Sequence, residues 1–242
     1  MEKNRIIEEM IGLKDEDQAA HLMKFFKTGK GQYGEGDKFL GIKVPQTRSI
    51  SKKYRDTITR QEIEEMLDSE WHEIRLLGFL LLIEVYNKAV KHDSNPEEVV
   101  EYYLSKIDRG NNWDLVDLVA PKILGHWLLN HQEKIYILHE LAEKDHSLWH
   151  QRVAIVATLP LIKAGRFEDT FQLAERYLNH KHDLIHKATG WMLREIGKAG
   201  GKTLLIDFLK KNMKRMPRTT FRYAIERFSD EDKSLLECGG IK

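Results

Sequence analysis

The chain is 242 residues long, 41% hydrophobic and 32% charged, which supplies a folded core and excludes a disordered polymer. Lys and Arg total 39 against 38 Asp and Glu, a formal charge of +1, so any signal for a polyanionic partner must come from segregation of charge along the chain. A single cysteine, Cys238, excludes an internal disulfide and a thiolate zinc cage and fits a reducing compartment.

Met1-Glu2-Lys3-Asn4-Arg5 leads into an amphipathic helix marked by Ile6, Ile7 and Met10. No apolar stretch of signal-peptide type follows, so a cytoplasmic location is expected. A second helix is predicted around Leu22, Phe25 and Phe26. Gly29-Lys30-Gly31-Gln32-Tyr33-Gly34 formally matches G-x-G-x-x-G. A dinucleotide fold needs a strand before that motif, whereas residues 21–26 have helical periodicity, so the glycines are assigned to a loop. Residues 24–60 carry ten Lys/Arg and three Asp/Glu, and residues 62–73 carry six acids and no Lys or Arg. Arg75 opens the longest apolar run, residues 76–83, which Glu84 ends far short of the ~20 residues of a membrane span. Asn95-Pro96 marks a turn.

Further on, Leu115, Leu118 and Val119, then Val153, Val156 and Ala157, then Met192, Leu193 and Ile196 keep the helical spacing, and no segment alternates at period two. Pro121 and Pro160 fall inside two of these patterns, where each bends its helix or marks an end. Ala164-Gly165-Arg166, Gly200-Gly201 and Met216-Pro217 are further turns, and residues 198–222 carry eight Lys/Arg and one acid. The expected fold is all-α, about a dozen helices in a single domain spanning residues 1–242.

A repeat is visible in the numbering. Asp117, Arg152, Lys187 and Arg222 follow one another at 35-residue intervals, each within an apolar helix. A fixed period in this range is the mark of stacked helical hairpins, a HEAT-like α-solenoid whose equivalent positions line one concave surface. Arg75 resembles an earlier member, 42 residues before Asp117, and the first third of the chain fits the period poorly. Two basic blocks near the ends of such a superhelix are either a clamp for a phosphate backbone or an ordinary solvated surface with blocky charge. The candidate contacts of a clamp are Lys38 and Lys43 in the first block, Lys187 and Arg194 on the repeat helices, and Lys210, Lys211, Lys214, Arg215, Arg218 and Arg222 toward the end.

The densest group of chemical side chains is Asn111-Asn112-Trp113-Asp114-Leu115-Val116-Asp117. Trp113 and Asp117 are four apart, which places an indole and a carboxylate on one helical face. Arg152 is the repeat equivalent of Asp117, and Lys187 and Trp191 stand four apart one repeat later. A purely structural use of the same residues is core packing for the tryptophans and an ion pair for Asp117 and Arg152. The pairs His146/His150 and His182/His186 lack the glutamate and third ligand of a zinc site and are assigned to surface or capping roles, and no metal or cofactor is expected. Glu195, beside Arg194, is expected to be an ion-pair partner.

Asn112-Trp113-Asp114-Leu115-Val116-Asp117, Leu148-Trp149-His150-Gln151-Arg152-Val153-Ala154-Ile155 and His186-Lys187-Ala188-Thr189-Gly190-Trp191-Met192-Leu193-Arg194-Glu195 closely resemble the DNA alkylation repair family of AlkD-like glycosylases. Tyr33-Gly34-Glu35-Gly36-Asp37-Lys38-Phe39-Leu40-Gly41 and Met216-Pro217-Arg218 extend the resemblance to residues 33–228. It implies that Trp113, Asp117, Arg152 and Trp191 form the active site on the concave face, and that the base need not be swung into a deep pocket. The implied activity is hydrolysis of the N-glycosidic bond of cationic N3- or N7-alkylated purines in duplex DNA by a monofunctional glycosylase, with no obligate protein partner. The residue types suit that chemistry. A base that already carries positive charge departs without a general acid, leaving a carboxylate to stabilise the oxocarbenium-like sugar and position water. The alternative is a non-catalytic HEAT-like protein that recognises unusual DNA structures, and a protein-binding scaffold is disfavoured by the recurring cations at 152, 187 and 222.

Overall fold

The computed structural model describes residues 2–237, so Cys238 lies outside the described residues. All regular structure among them is helical, with one isolated bridge between Lys38 and Trp71. The backbone divides into two compact units at the Val119–Ala120 junction.

The N-terminal unit contains α1 (Glu2–Ile11), α2 (Glu16–Phe25), α3 (Val44–Tyr54), α4 (Arg60–Leu67), α5 (His72–His92), α6 (Pro96–Ser105) and α7 (Trp113–Val119). Local chemistry sets several starts. Asp15 caps α2 by accepting from the Gln18 amide, and Thr59 and Glu62 close a reciprocal capping box on α4. Helix α5 is apolar on nearly every face and buried accordingly, and α3, α4, α6 and α7 pack around it. Leu77, Leu81 and Leu82 join Met66 and Leu67 of α4 in its core at 1% exposure or less. Each such side chain contributes about 1.5–3 kcal/mol by leaving water.

The C-terminal unit contains a π turn (Pro121–Gly125), α8 (His126–Leu128), α9 (Tyr136–Leu141), α10 (Leu148–Val156), α11 (Leu159–Lys163), α12 (Glu168–Arg176), α13 (Asp183–Lys198), α14 (Lys202–Asn212), α15 (Arg218–Ala224) and α16 (Asp230–Glu237). Pro121 opens the π turn and Pro160 is the second residue of α11, where a missing amide is tolerated, so both prolines mark helix starts. Helices α13 and α15 make the most extensive helix–helix contact among the described residues. They approach closely because position 190 is glycine: a Cβ there would lie 2.5 Å from the Tyr223 Cβ and 2.6 Å from the Thr220 carbonyl.

The 35-residue period appears directly in the structure. Helices α7, α10, α13 and α15 begin at residues 113, 148, 183 and 218, so Asp117, Arg152, Lys187 and Arg222 are each the fifth residue of their helix. Arg75 is the fourth residue of α5 and sits outside that register. No helix among the described residues is long and apolar enough to cross a membrane. The segment 29–34 follows α2 as a chain of turns, without the strand a dinucleotide site requires.

Candidate active site

In the N-terminal unit, Trp113 and Asp117 are both half-buried on the seven-residue helix α7. A helix this short is marginal by itself, so its placement must come from its surroundings. Asn112, fully buried, accepts the Trp113 amide on its Oδ1 at 3.0 Å and donates to the Phe26 carbonyl. The Trp113 ring stacks on Phe26 with centroids 5.3 Å apart and meets Phe25 edge-on at 5.9 Å. Phe26 in turn stacks on Phe39 at 5.1 Å, and Phe39 on the His72 imidazole at 4.4 Å. Trp113 thus closes a continuous aromatic column. The Asp117 carboxylate lies near enough to the buried Tyr103 that its charge adds to burial in pushing that phenol far above its ordinary range.

Beneath the column is a set of buried charges. His72 Nδ1 is 2.8 Å from Asp37 Oδ2, and its Nε2 is 2.9 Å from Asp114 Oδ2. Arg75 donates to Asp37 Oδ1 at 2.6 Å, to Asn111 Oδ1 at 2.8 Å and to the carbonyls of Ser69 and Arg109. Glu73 accepts the amides of Leu40, Gly41 and Ile42 at 2.8–3.1 Å. Gly41 has φ +87°, a conformation that a side chain would strain and that lets three successive amides face one carboxylate. His72, Glu73 and Arg75, all in the first turn of α5, therefore fasten the 37–42 loop on one side and α7 on the other.

Burial works against charge on His72, but Asp114 and Asp37 outweigh it and raise the imidazole to about 9. Burial also opposes ionisation of Asp37, and the His72 hydrogen bond and charge, followed by Arg75, hold its carboxyl below the ordinary range.

In the C-terminal unit, Trp191 is half-buried on α13, next to Gly190. Lys187, one turn earlier, pairs with Asp183 at 2.7 Å. Arg152 is only 4% exposed, and its guanidinium donates to the Leu184 carbonyl in the first turn of α13. It thereby ties α10 to the first turn of α13.

The remaining basic residues divide by partner. Lys38 pairs with Glu70, Lys211 and Arg215 share Glu175, and Arg194 pairs with Glu226 and Glu195. Lys43, Lys210, Lys214, Arg218 and Arg222 are exposed and have no ion pair among the described residues. Arg222 lies over the Tyr223 ring at 6.0 Å.

Glu195 is an ion-pair partner, as expected, held by Lys198 as well as Arg194. His182 caps α13 by accepting the Leu184 amide, and His146 stacks on His150. No group of three or more metal-ligating side chains exists among the described residues. The same unit has an open cleft of about 670 Å³ lined by Lys144, Gln151, Arg176, Tyr177, His180 and His182. The histidines of this cleft are held below their ordinary range, first by burial and then by crowding with one another, His186 and nearby cations.

The His72 network is the part that sequence reasoning missed, although Asp37 and Phe39 belong to a quoted motif. A solved structure described as a predicted DNA alkylation repair enzyme from Enterococcus faecalis has the same fold, with a TM-score of 0.71 over 90% of this chain and 97% of that one at 20% identity. No curated protein matches the chain. The family profile described as DNA alkylation repair enzyme matches residues 6–228, a span containing α7, α10, α13 and the buried charges, and the chain belongs to that family.

Proposed function

We propose that the protein is a monofunctional DNA N-glycosylase that releases cationic N3- and N7-alkylated purines from duplex DNA, built as a HEAT-like repeat with a DNA-binding concave face. The observation that carries this reading is Asp117, a carboxylate one turn from the Trp113 indole on a firmly braced helix, in a chain of the DNA alkylation repair enzyme family. A positively charged base is already an activated leaving group. The demand on the protein is to stabilise the cationic sugar and to orient water, which one carboxylate meets. Trp113 and Trp191 present π faces to the cationic sugar. Arg152 steadies α13 through Leu184 and takes the phosphate-side role that the family resemblance gives it. Exposed Lys43, Lys210, Lys214, Arg218 and Arg222 supply backbone contacts that carry no base information.

Incubation with methylated duplex DNA, with chromatography of the released bases, tests the reading. Methylated purines should appear in the supernatant, and uracil-containing duplex should yield no free uracil. Uracil release at a comparable rate would show that an acid acts, with Glu195 and Asp114 the first to replace. Tight binding without any base release would leave a non-catalytic DNA-binding protein.

A further inference from the structure

We propose that His72, as a buried imidazolium clamped between Asp37 and Asp114, is a positioning residue that holds the first turn of α7 so that Trp113 and Asp117 keep their reactive orientation. The proposal rests on the glycosylase reading for what that orientation serves, and on geometry for the clamp itself.

Both ring nitrogens of His72 face carboxylate oxygens, at 2.8 and 2.9 Å. A neutral imidazole donates from one nitrogen only, and its other lone pair would then oppose an ionised carboxylate. The imidazolium satisfies both. The surrounding charges agree. Asp37 and Asp114 are balanced by His72 and Arg75, whereas a neutral His72 would leave a net negative charge on a cluster in which Asp37, His72 and Arg75 are at most 5% exposed and the Asp114 side chain 19%. The other groups facing this cluster are already engaged: Glu73 by three backbone amides, Asn111 by Arg75, and Lys38 by Glu70 at the surface. The elevated position of His72, about 9, follows from this arrangement.

Two routes lead from His72 to α7. The first is Asp114, whose Oδ1 is buried without a partner, so that its hydrogen bonding runs through Oδ2 to His72. The second is the column from His72 through Phe39 and Phe26 to Trp113. Asp114 precedes Asp117 by three residues and so lies on the same side of the helix. A tilt of that turn displaces the carboxylate, and displacements on the order of 1 Å cost about 10²-fold in rate.

Three measurements test the clamp. In ligand-free protein, the ¹⁵N shifts of His72 should show imidazolium at pH 8, where an ordinary histidine is neutral. A neutral ring at pH 8 overturns the proposal. The Trp113 near-ultraviolet dichroism, identified by its loss in Trp113→Phe, should change as pH rises through about 9, and an unchanged band through pH 10 also overturns it. Third, Asp114→Asn should lower the single-turnover rate of methylpurine release at least about tenfold with unchanged DNA affinity. It should also bring the alkaline decline of that rate down by about 1 pH unit, since an opposite charge close by is worth 1–3 units. An unchanged rate and limb in a folded variant would make His72 structural only. Should the wild-type protein release no base at all, the glycosylase reading falls, while the nitrogen shifts and the Trp113 band still decide the clamp.

Discussion

Helices α7 and α13 each place a tryptophan and a charged residue four positions apart, Trp113 with Asp117 and Lys187 with Trp191, and they are held by opposite means. Helix α7 has seven residues and is fixed at its first turn by Asn112, an aromatic column and the His72–Asp114 contact. Helix α13 has sixteen residues, buries Leu184, Ile185, Ala188, Met192, Leu193 and Ile196, and meets α15 through the gap that Gly190 leaves. One is oriented by buried charge, which is directional and sensitive to pH. The other is oriented by packing, which is sensitive to volume and nearly indifferent to pH. A carboxylate needs angular control more than a lysine on a flexible stem does, and the more directional anchor is found under the carboxylate.

The sharpest division between the two helices is chemical. Asp117→Asn should lower the single-turnover release of methylpurine by about 10²–10³-fold or more, because it removes a charge needed mainly in the transition state. Trp191→Ala on α13 should cost nearer tenfold, the scale of about 1–2 kcal/mol for a cation over an aromatic face. Circular dichroism of both variants should match the wild type. Equal rates for Asp117→Asn and wild type would take Asp117 out of the mechanism and erase the distinction.

A smaller effect isolates the packing anchor. Gly190→Ala forces a Cβ against the backbone of α15, an overpacking that costs about 1–3 kcal/mol and lowers Tm by about 2–10 °C in a chain of this size. The loss should be the same at pH 7 and pH 9.5. The clamp behaves differently. A histidine raised from 6.5 to about 9 contributes stability that is complete below pH 6.5 and lost as pH rises through about 9. Thermal melts of wild type and Gly190→Ala across this range separate the two anchors. A Gly190→Ala deficit that grows with pH would mean that α13 is also held by titrating charge.

The contrast also explains what was legible in the sequence. The common register of α7, α10, α13 and α15 was legible because Asp117, Arg152, Lys187 and Arg222 recur at a fixed 35-residue interval within apolar helical patterns, and helical periodicity survives in a single chain. Trp113, Asp117 and Trp191 could be singled out from their spacing and motifs. The clamp could not. Asp37, His72 and Asp114 are separated by 35 and 42 residues, and no local pattern marks a histidine at the end of an acidic run as the partner of two distant carboxylates. Depth was equally hidden, since the register shows that a cation recurs at 152 but not that the residue is only 4% exposed. The basic blocks can be counted along the sequence, but their pairing cannot: several of their cations are matched by acids from other segments, Lys53 by Glu9 and Arg60 by Glu98 among them.

That pairing gives the prediction with the smallest effect on chemistry. Lys210, Lys214 and Arg218 are exposed without ion pairs among the described residues, whereas Lys211 and Arg215 share Glu175 at 3.4 and 3.0 Å. A cation that contacts phosphate releases condensed counterions, and each lost contact reduces the slope of log affinity against log salt by about 0.9. A cation already neutralised by a carboxylate must break that pair first, so its net contribution is smaller. Exchange of Lys210, Lys214 and Arg218 for Gln should therefore flatten the slope by about 2–3, and exchange of Lys211 and Arg215 should flatten it by less than about 1 in total. Affinity should fall alike for every DNA sequence, because phosphate contacts carry no base information. The single-turnover rate at saturating DNA should stay near the wild-type value in both variants, since uniform binding is lost from ground state and transition state together. An unchanged slope in the triple variant would remove this cluster from the interface and leave exposed Lys24, Lys27, Lys30 and Lys43 of the first block as the cations to replace next.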